Sequence, residues 1–121
     1  MNNKKFKVWD FKEKKFEYFD IKNGNLFPSK FSYERVYQFI GILDKNMKEI
    51  YEGDVVKGIY GLEGIEIMGE VQYSYDLCAY VVDWHHLFSN IELDSLEVVG
   101  NMIEDYMYNE KGELVKTYDN N

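Results

Sequence analysis

Turn signals interrupt this chain at short intervals, and the segments between them alternate apolar and polar residues or run β-branched and aromatic. That rhythm constrains the fold more than any other feature. "KFKVWDFKEKKFEYFDI" alternates on both sides of a charged centre, with Phe6, Val8 and Asp10 on one strand face and Phe16, Tyr18 and Asp20 on the return. Period-2 alternation around "KEKK" predicts a β-hairpin. "RVYQFIGIL" reads as a strand, "DKNMK" as a turn, and "EIYEGDVVKGIY" as the return. "EVQYSYDLCAYVVDW" holds two strands, 70–75 and 78–84, about a turn near Asp76, and "LEVVGNM" a further strand ending on a Gly-Asn turn signal. "YMYNEKGELVKTY" predicts a C-terminal hairpin, and "DNN" a fraying end. Helix signals are weak, with "LFSNIELDSLEVV" the best stretch for a single turn. No helical crossover is long enough for a parallel sheet. The expectation is a mainly β fold, a small barrel of short antiparallel strands with little helix.

Composition agrees. Aromatic residues make up 17% of the 121 residues and alanine occurs once, a bias toward pleated, half-buried surfaces and away from helical bundles. Hydrophobic residues make up 45%, enough for a core. The net charge of −8 is unevenly spread, at +4 over residues 1–30 and −12 over the remainder. "NGNLFPSKFS", with the single proline, marks a loop where the charge changes sign. The expected organisation is a basic hairpin and linker over 1–30, a barrel over 31–108, and a C-terminal hairpin or tail over 109–121.

So acidic a body is a poor non-specific binder of nucleic acid, which demands a basic footprint. Cys78 is the only cysteine, which excludes an internal disulfide and points to a reducing compartment. No apolar run approaches membrane-spanning length, and the lysine-bearing N-terminus lacks the apolar stretch of a secretory signal. The expected location is the cytoplasm, with no membrane partner.

Within "DKNMKEIYEGDVV", Gly53 can take the positive φ or bulge that a bent strand needs, and Asp54 can bind nearby amides and fix the kink. Barrels turn corners in this way. These residues belong to a larger pattern. "KFKVWD", "QFIGILDKNMKEIYEGDVV", "GEVQYSYDLCAYVV" and "LEVVGNMIED" occur in the order of the YopX family, small proteins encoded by phages and prophages, which the chain resembles over roughly residues 4–105. The signature falls on Asp44, Glu52, Gly53, Asp54, Gly100 and Asn101, with Gly41, Ile50 and Val56 beside them. The resemblance implies an SH3-like, YopX-like barrel with an N-terminal hairpin extension. It implies no activity, and fold alone supplies none. Met47 stands where the family usually has glycine, so a turn preferring positive φ would be adjusted, most easily at Asn46. Lys7 replaces the usual arginine, which weakens any bidentate anion contact there.

Candidate chemistry is sparse. Asp44, Asn46 and Lys48 suggest a calcium loop, but Lys48, Glu49 and Val55 occupy positions that need an oxygen ligand, a glycine and a glutamate. Glu49, Glu52 and Asp54 cluster as acid–base residues would, without a companion nucleophile or histidine, so turn chemistry is the better reading. His85 and His86, adjacent on a strand, would point to opposite faces and not share a metal. A lone Cys78 is expected to be a small buried hydrophobe. Gly58, Gly61 and Gly64 lack the Lys-Ser/Thr of a phosphate loop. No catalytic residue, metal or cofactor is expected.

Tyr73, Tyr75, Tyr80 and Trp84 alternate along one hairpin and form the candidate interface, because such residues enrich binding surfaces; core packing is the competing explanation. The leading expectation is a non-enzymatic phage accessory protein that binds another protein or itself, with an acidic inhibitor of a basic host protein as a specific form. The alternative is a nucleic-acid-binding module using Lys4, Lys5, Lys7, Lys12, Lys14 and Lys15.

Overall fold

The computed structural model describes residues 4–21 and 36–117, so the expected loop after Ile21 and the final residues lie outside the described residues. The chain is mainly β. Strands β1 (Lys4–Asp10) and β2 (Lys15–Ile21) form the first hairpin, in register from Lys4 opposite Ile21 to Asp10 opposite Lys15. Its turn is held by Asp10, whose side chain accepts the amides of Lys12 and Glu13. Strand β1 also pairs with β3 (Val36–Leu43), and β3 with β4 (Glu49–Tyr51), giving a four-stranded sheet in the order β2-β1-β3-β4.

Strands β5 (Asp54–Tyr60), β6 (Ile65–Ser74), β7 (Ala79–Val82), β8 (His86–Leu87) and β9 (Glu97–Asn101) make a five-stranded sheet in the order β8-β7-β6-β5-β9. Strands β10 (Tyr106–Tyr108) and β11 (Leu114–Lys116) form the predicted C-terminal hairpin. The sheet curls into a half-barrel, and register shifts in β3 and between Val55 and Val56 of β5 supply local bends. The weak helix signal before β9 becomes two 3-10 turns, Phe88–Asn90 and Leu93–Ser95.

The core gathers Ile50, Val56, Val71, Val82, Phe88, Ile91 and Leu96, with Ile40, Ile42 and Tyr80 packed against it. Asp54, Val55 and Val56 are consecutive and all buried, so this part of β5 is covered on both faces. A plain alternation would leave one of those faces wet. Gly69 shows how tightly the sheet closes on itself. A Cβ there would lie 2.6 Å from the Cβ of Asp83 and about 3 Å from its backbone, which no side-chain rotation relieves.

Three local expectations are corrected. Met47, not Asn46, takes the left-handed conformation, at φ 66°. The Asn46 amide is bound by Asp44 Oδ1 at 2.8 Å, leaving the next residue to close the turn. Cys78 is exposed, because it sits in the β6–β7 turn with φ 52°. The rings of His85 and His86 do not diverge; their centroids are 4.0 Å apart, since only His86 lies on a strand and Asp83 and Trp84 before it both have positive φ.

Candidate functional site

The signature residues act together as a corner. Turn 44–48 is built around the buried Asp44, which accepts the amides of Asn46 and Lys48 on one oxygen and that of Val98 in β9 on the other. Burial alone would raise its pKa, but the three amides outweigh that and hold the carboxyl below the ordinary range. Glu52 ties to Gln38 of β3, donating its own amide and accepting that of Gln38 on Oε1. Gly53, in the link between β4 and β5, has φ 85°, donates to Val71 of β6 and accepts from Met102 just after β9, so the link is fixed to the five-stranded sheet. A Cβ on it would also meet the Tyr37 ring at 3.1 Å. Asn101 caps the turn after β9 by accepting the amides of Ile103 and Glu104, while Gly100 leaves room for the Tyr106 ring and Asp105.

Asp54 is the centre of this corner. One of its oxygens accepts the Tyr51 amide at 2.8 Å; the other lies 2.8 Å from the Lys7 Nζ. Lys7 is only 5% exposed and Asp54 2%, so this ion pair is buried. Burial pushes the Asp54 carboxyl above its usual range against the pull of Lys7 and the Tyr51 amide. The Lys7 ammonium also sits 4.3 Å from the Phe16 ring centroid and 4.9 Å from that of Tyr51, a cation held by two aromatic faces and a carboxylate. The alternation of the first hairpin placed Lys7 on the side away from Phe6 and Val8. Nothing in the local sequence showed that the main body covers that side as well.

Above this pair opens a cavity of about 490 Å³, walled by Phe16, Tyr18 and Tyr51 on one side and by Gly100, Glu104 and Asp105 on the other. A smaller hollow of about 370 Å³ continues from it and shares Tyr18, Glu49 and Tyr51. Glu49 is committed to Lys5 and to the Tyr51 hydroxyl, and its hydrogen bond from Lys5 draws its pKa down. Tyr18 and Tyr51 meet edge to face at 5.8 Å. The Tyr18 hydroxyl holds its proton more tightly than usual, first through burial and then through the negative fields of Asp54, Glu104 and Glu49.

The other candidate surface lies at the tip of β6–β7. Tyr73 pairs with Tyr80 across the hairpin, and the Tyr73 ring lies 5.1 Å, edge on, from those of Tyr75 and Tyr80. Val71 and Val82 share this face and belong to the core, so the tyrosines prolong the core face past its covered part. Tyr75 is 85% exposed, and Leu77 beside it is also exposed. Burial, then the field of Glu52, pushes the Tyr80 hydroxyl up to about 12. Trp84 is not part of this group. Its amide binds the Gln72 side chain, which projects from the opposite face of β6, where Glu70 accepts from the Tyr108 hydroxyl. The Glu70–Tyr108 tie between β6 and the C-terminal hairpin carried no signal in the sequence pattern.

Among the described residues, no group of three or more His, Cys, Asp and Glu side chains gathers to hold a metal ion. No helix among them is long and apolar enough to cross a membrane. The class defined here is a mainly β, curled half-barrel whose signature residues are its corners. The family described as YopX protein matches residues 2–106, and the chain belongs to that family. No curated protein matches it.

Proposed function

We propose that the protein is a non-enzymatic accessory of a phage or prophage, acting in the host cytoplasm by binding a protein partner or a second copy of itself. The observation that carries this reading is the tyrosine group at the β6–β7 tip, where the core face of a hairpin runs on into solvent. Exposed, mutually packed tyrosines offer large contact area at small entropic cost, as binding surfaces do. The acidic body favours a basic partner, and inhibition of a basic host protein is the specific form of the proposal.

Nucleic-acid binding through the first hairpin is the weaker reading. Of its lysines, Lys7 is buried against Asp54, Lys5 pairs with Glu49, and Lys15 with Glu17, so part of the basic footprint is neutralised internally. The test is affinity capture from bacterial lysate at low and high salt, read by mass spectrometry, together with sedimentation of the purified chain. A basic protein retained at low salt, or a particle several times 14.5 kDa, is expected. A monomer that retains nothing overturns the proposal.

A further inference from the structure

The groove above Lys7 and Asp54 is distinct from the tyrosine tip, and its walls combine two kinds of group. One wall is aromatic, with Phe16, Tyr18 and Tyr51; the other is acidic, with Glu104 and Asp105. The floor shows what such walls hold. The Lys7 ammonium already lies against Phe16 and Tyr51 with Asp54 as its counter-ion. We propose that the open part of the groove receives the guanidinium of an arginine side chain from a protein partner.

The assignment follows from which groups remain free to act. Glu49 and Asp54 have both oxygens engaged within the molecule. Glu104 uses Oε1 for the Asn101 side chain, and Asp105 uses Oδ2 for the Asn101 amide. The second oxygen of each accepts no hydrogen bond among the described residues, and Glu104 is exposed. An aromatic face such as Tyr18 beside carboxylate oxygens calls for a planar cation with several N–H groups, which suits guanidinium better than ammonium. The groove is lined by four carboxylates, Glu49, Asp54, Glu104 and Asp105, against two lysines, Lys7 and Lys48, so its formal charge is negative. Lys48 also lines the cavity; it is exposed, and Asp44 and Asp54 feel its charge without forming an ion pair with it among the described residues. An anion would meet the free carboxylates and be repelled.

The source of the arginine rests on the protein-binding reading; the groove chemistry does not. The test therefore uses three blocked tripeptides, Gly-Arg-Gly, Gly-Lys-Gly and the uncharged Gly-citrulline-Gly, titrated into the full ¹⁵N-labelled chain. The arginine peptide is expected to bind with a dissociation constant of about 1 mM, moving the amide signals of Tyr18 and residues 100–105. The lysine peptide should bind more weakly and the citrulline peptide not at all. Glu104→Gln with Asp105→Asn should weaken the arginine peptide about fivefold. The Glu104→Gln single variant, at an exposed position, is the control that keeps the fold, and it should show part of the same loss. Equal shifts from citrulline and arginine, or no shift at Tyr18 and 100–105, overturn the proposal. Arginine binding that survives the Tyr73→Ser, Tyr75→Ser change shows that the groove acts independently of the tyrosine tip, whereas binding lost with the tip overturns the groove assignment.

Discussion

At the scale of single residues, the corner is held by side chains doing backbone work. Asp44 satisfies three amides that β-pairing leaves open, and its sequence context, a turn between two strands, made that role legible. The reach to Val98 was not legible, because it depends on β9 arriving 54 positions later. Asp44→Asn replaces one of the two accepting oxygens with a carboxamide NH2, leaves a backbone amide facing a donor, and should cost about 1–3 kcal/mol at neutral pH in urea unfolding. The native carboxyl sits below the ordinary value, so its stabilisation is full above the unfolded value of about 3.9 and fades as pH falls through the folded one. The gap between variant and parent should therefore narrow toward pH 3. A gap that widens with acid would contradict this assignment. Buried Asp54 and half-buried Glu70 shift upward and act in the opposite sense, but they are common to both proteins and cancel in the comparison.

Met47 is a second case at this scale. The sequence marked a turn needing positive φ and assigned it to the residue type that tolerates it best, Asn46. Asp44 claims the Asn46 amide, and the strain passes to Met47, which is 73% exposed and gains little from burial. Met47→Gly should raise stability by about 0.5–1 kcal/mol, the left-handed strain relieved less the entropy a glycine adds to the unfolded chain. Thermal or urea unfolding that shows a loss would mean that Met47 packs usefully where it stands.

At the scale of elements, the strands were legible because each announces itself by local alternation and a local turn. The partners of the first hairpin were not. Its pairing with β3 and its ion pair to β5 are long-range, and a lysine on a strand face reads as solvent-facing until the opposing element is known. The Lys7–Asp54 pair joins β1 to β5 and makes a sharp prediction. Asp54→Ala leaves a buried, uncompensated ammonium and an open Tyr51 amide, and should cost about 3–5 kcal/mol. Lys7→Met combined with Asp54→Asn removes both charges, keeps an acceptor for Tyr51, and should recover more than half of that loss. If the double variant is as unstable as Asp54→Ala, the cost lies in lost packing rather than in the stranded charge.

At the scale of the whole molecule, the mainly β fold and the family were readable because the corner block is dense in residues with special backbone roles. The tyrosine surface was readable only in part. Alternation put Tyr73, Tyr75 and Tyr80 on one face, but Trp84 follows a turn with two positive φ angles and leaves that face. The groove was invisible, since Tyr18, Tyr51 and Glu104 come from three distant segments. The proposal of a protein partner rests at this scale on the acidic body, the internally paired lysines and the exposed tip.

The most direct test of that account compares the parent chain with a Tyr73→Ser, Tyr75→Ser variant in the same lysate capture and sedimentation runs. Both changes fall at the exposed end of the hairpin, so the folded core should survive, as circular dichroism would check. The account predicts that the variant loses the captured protein or the self-assembly that the parent shows. Retention of the same partner, or of the same assembled mass, by both proteins would contradict it.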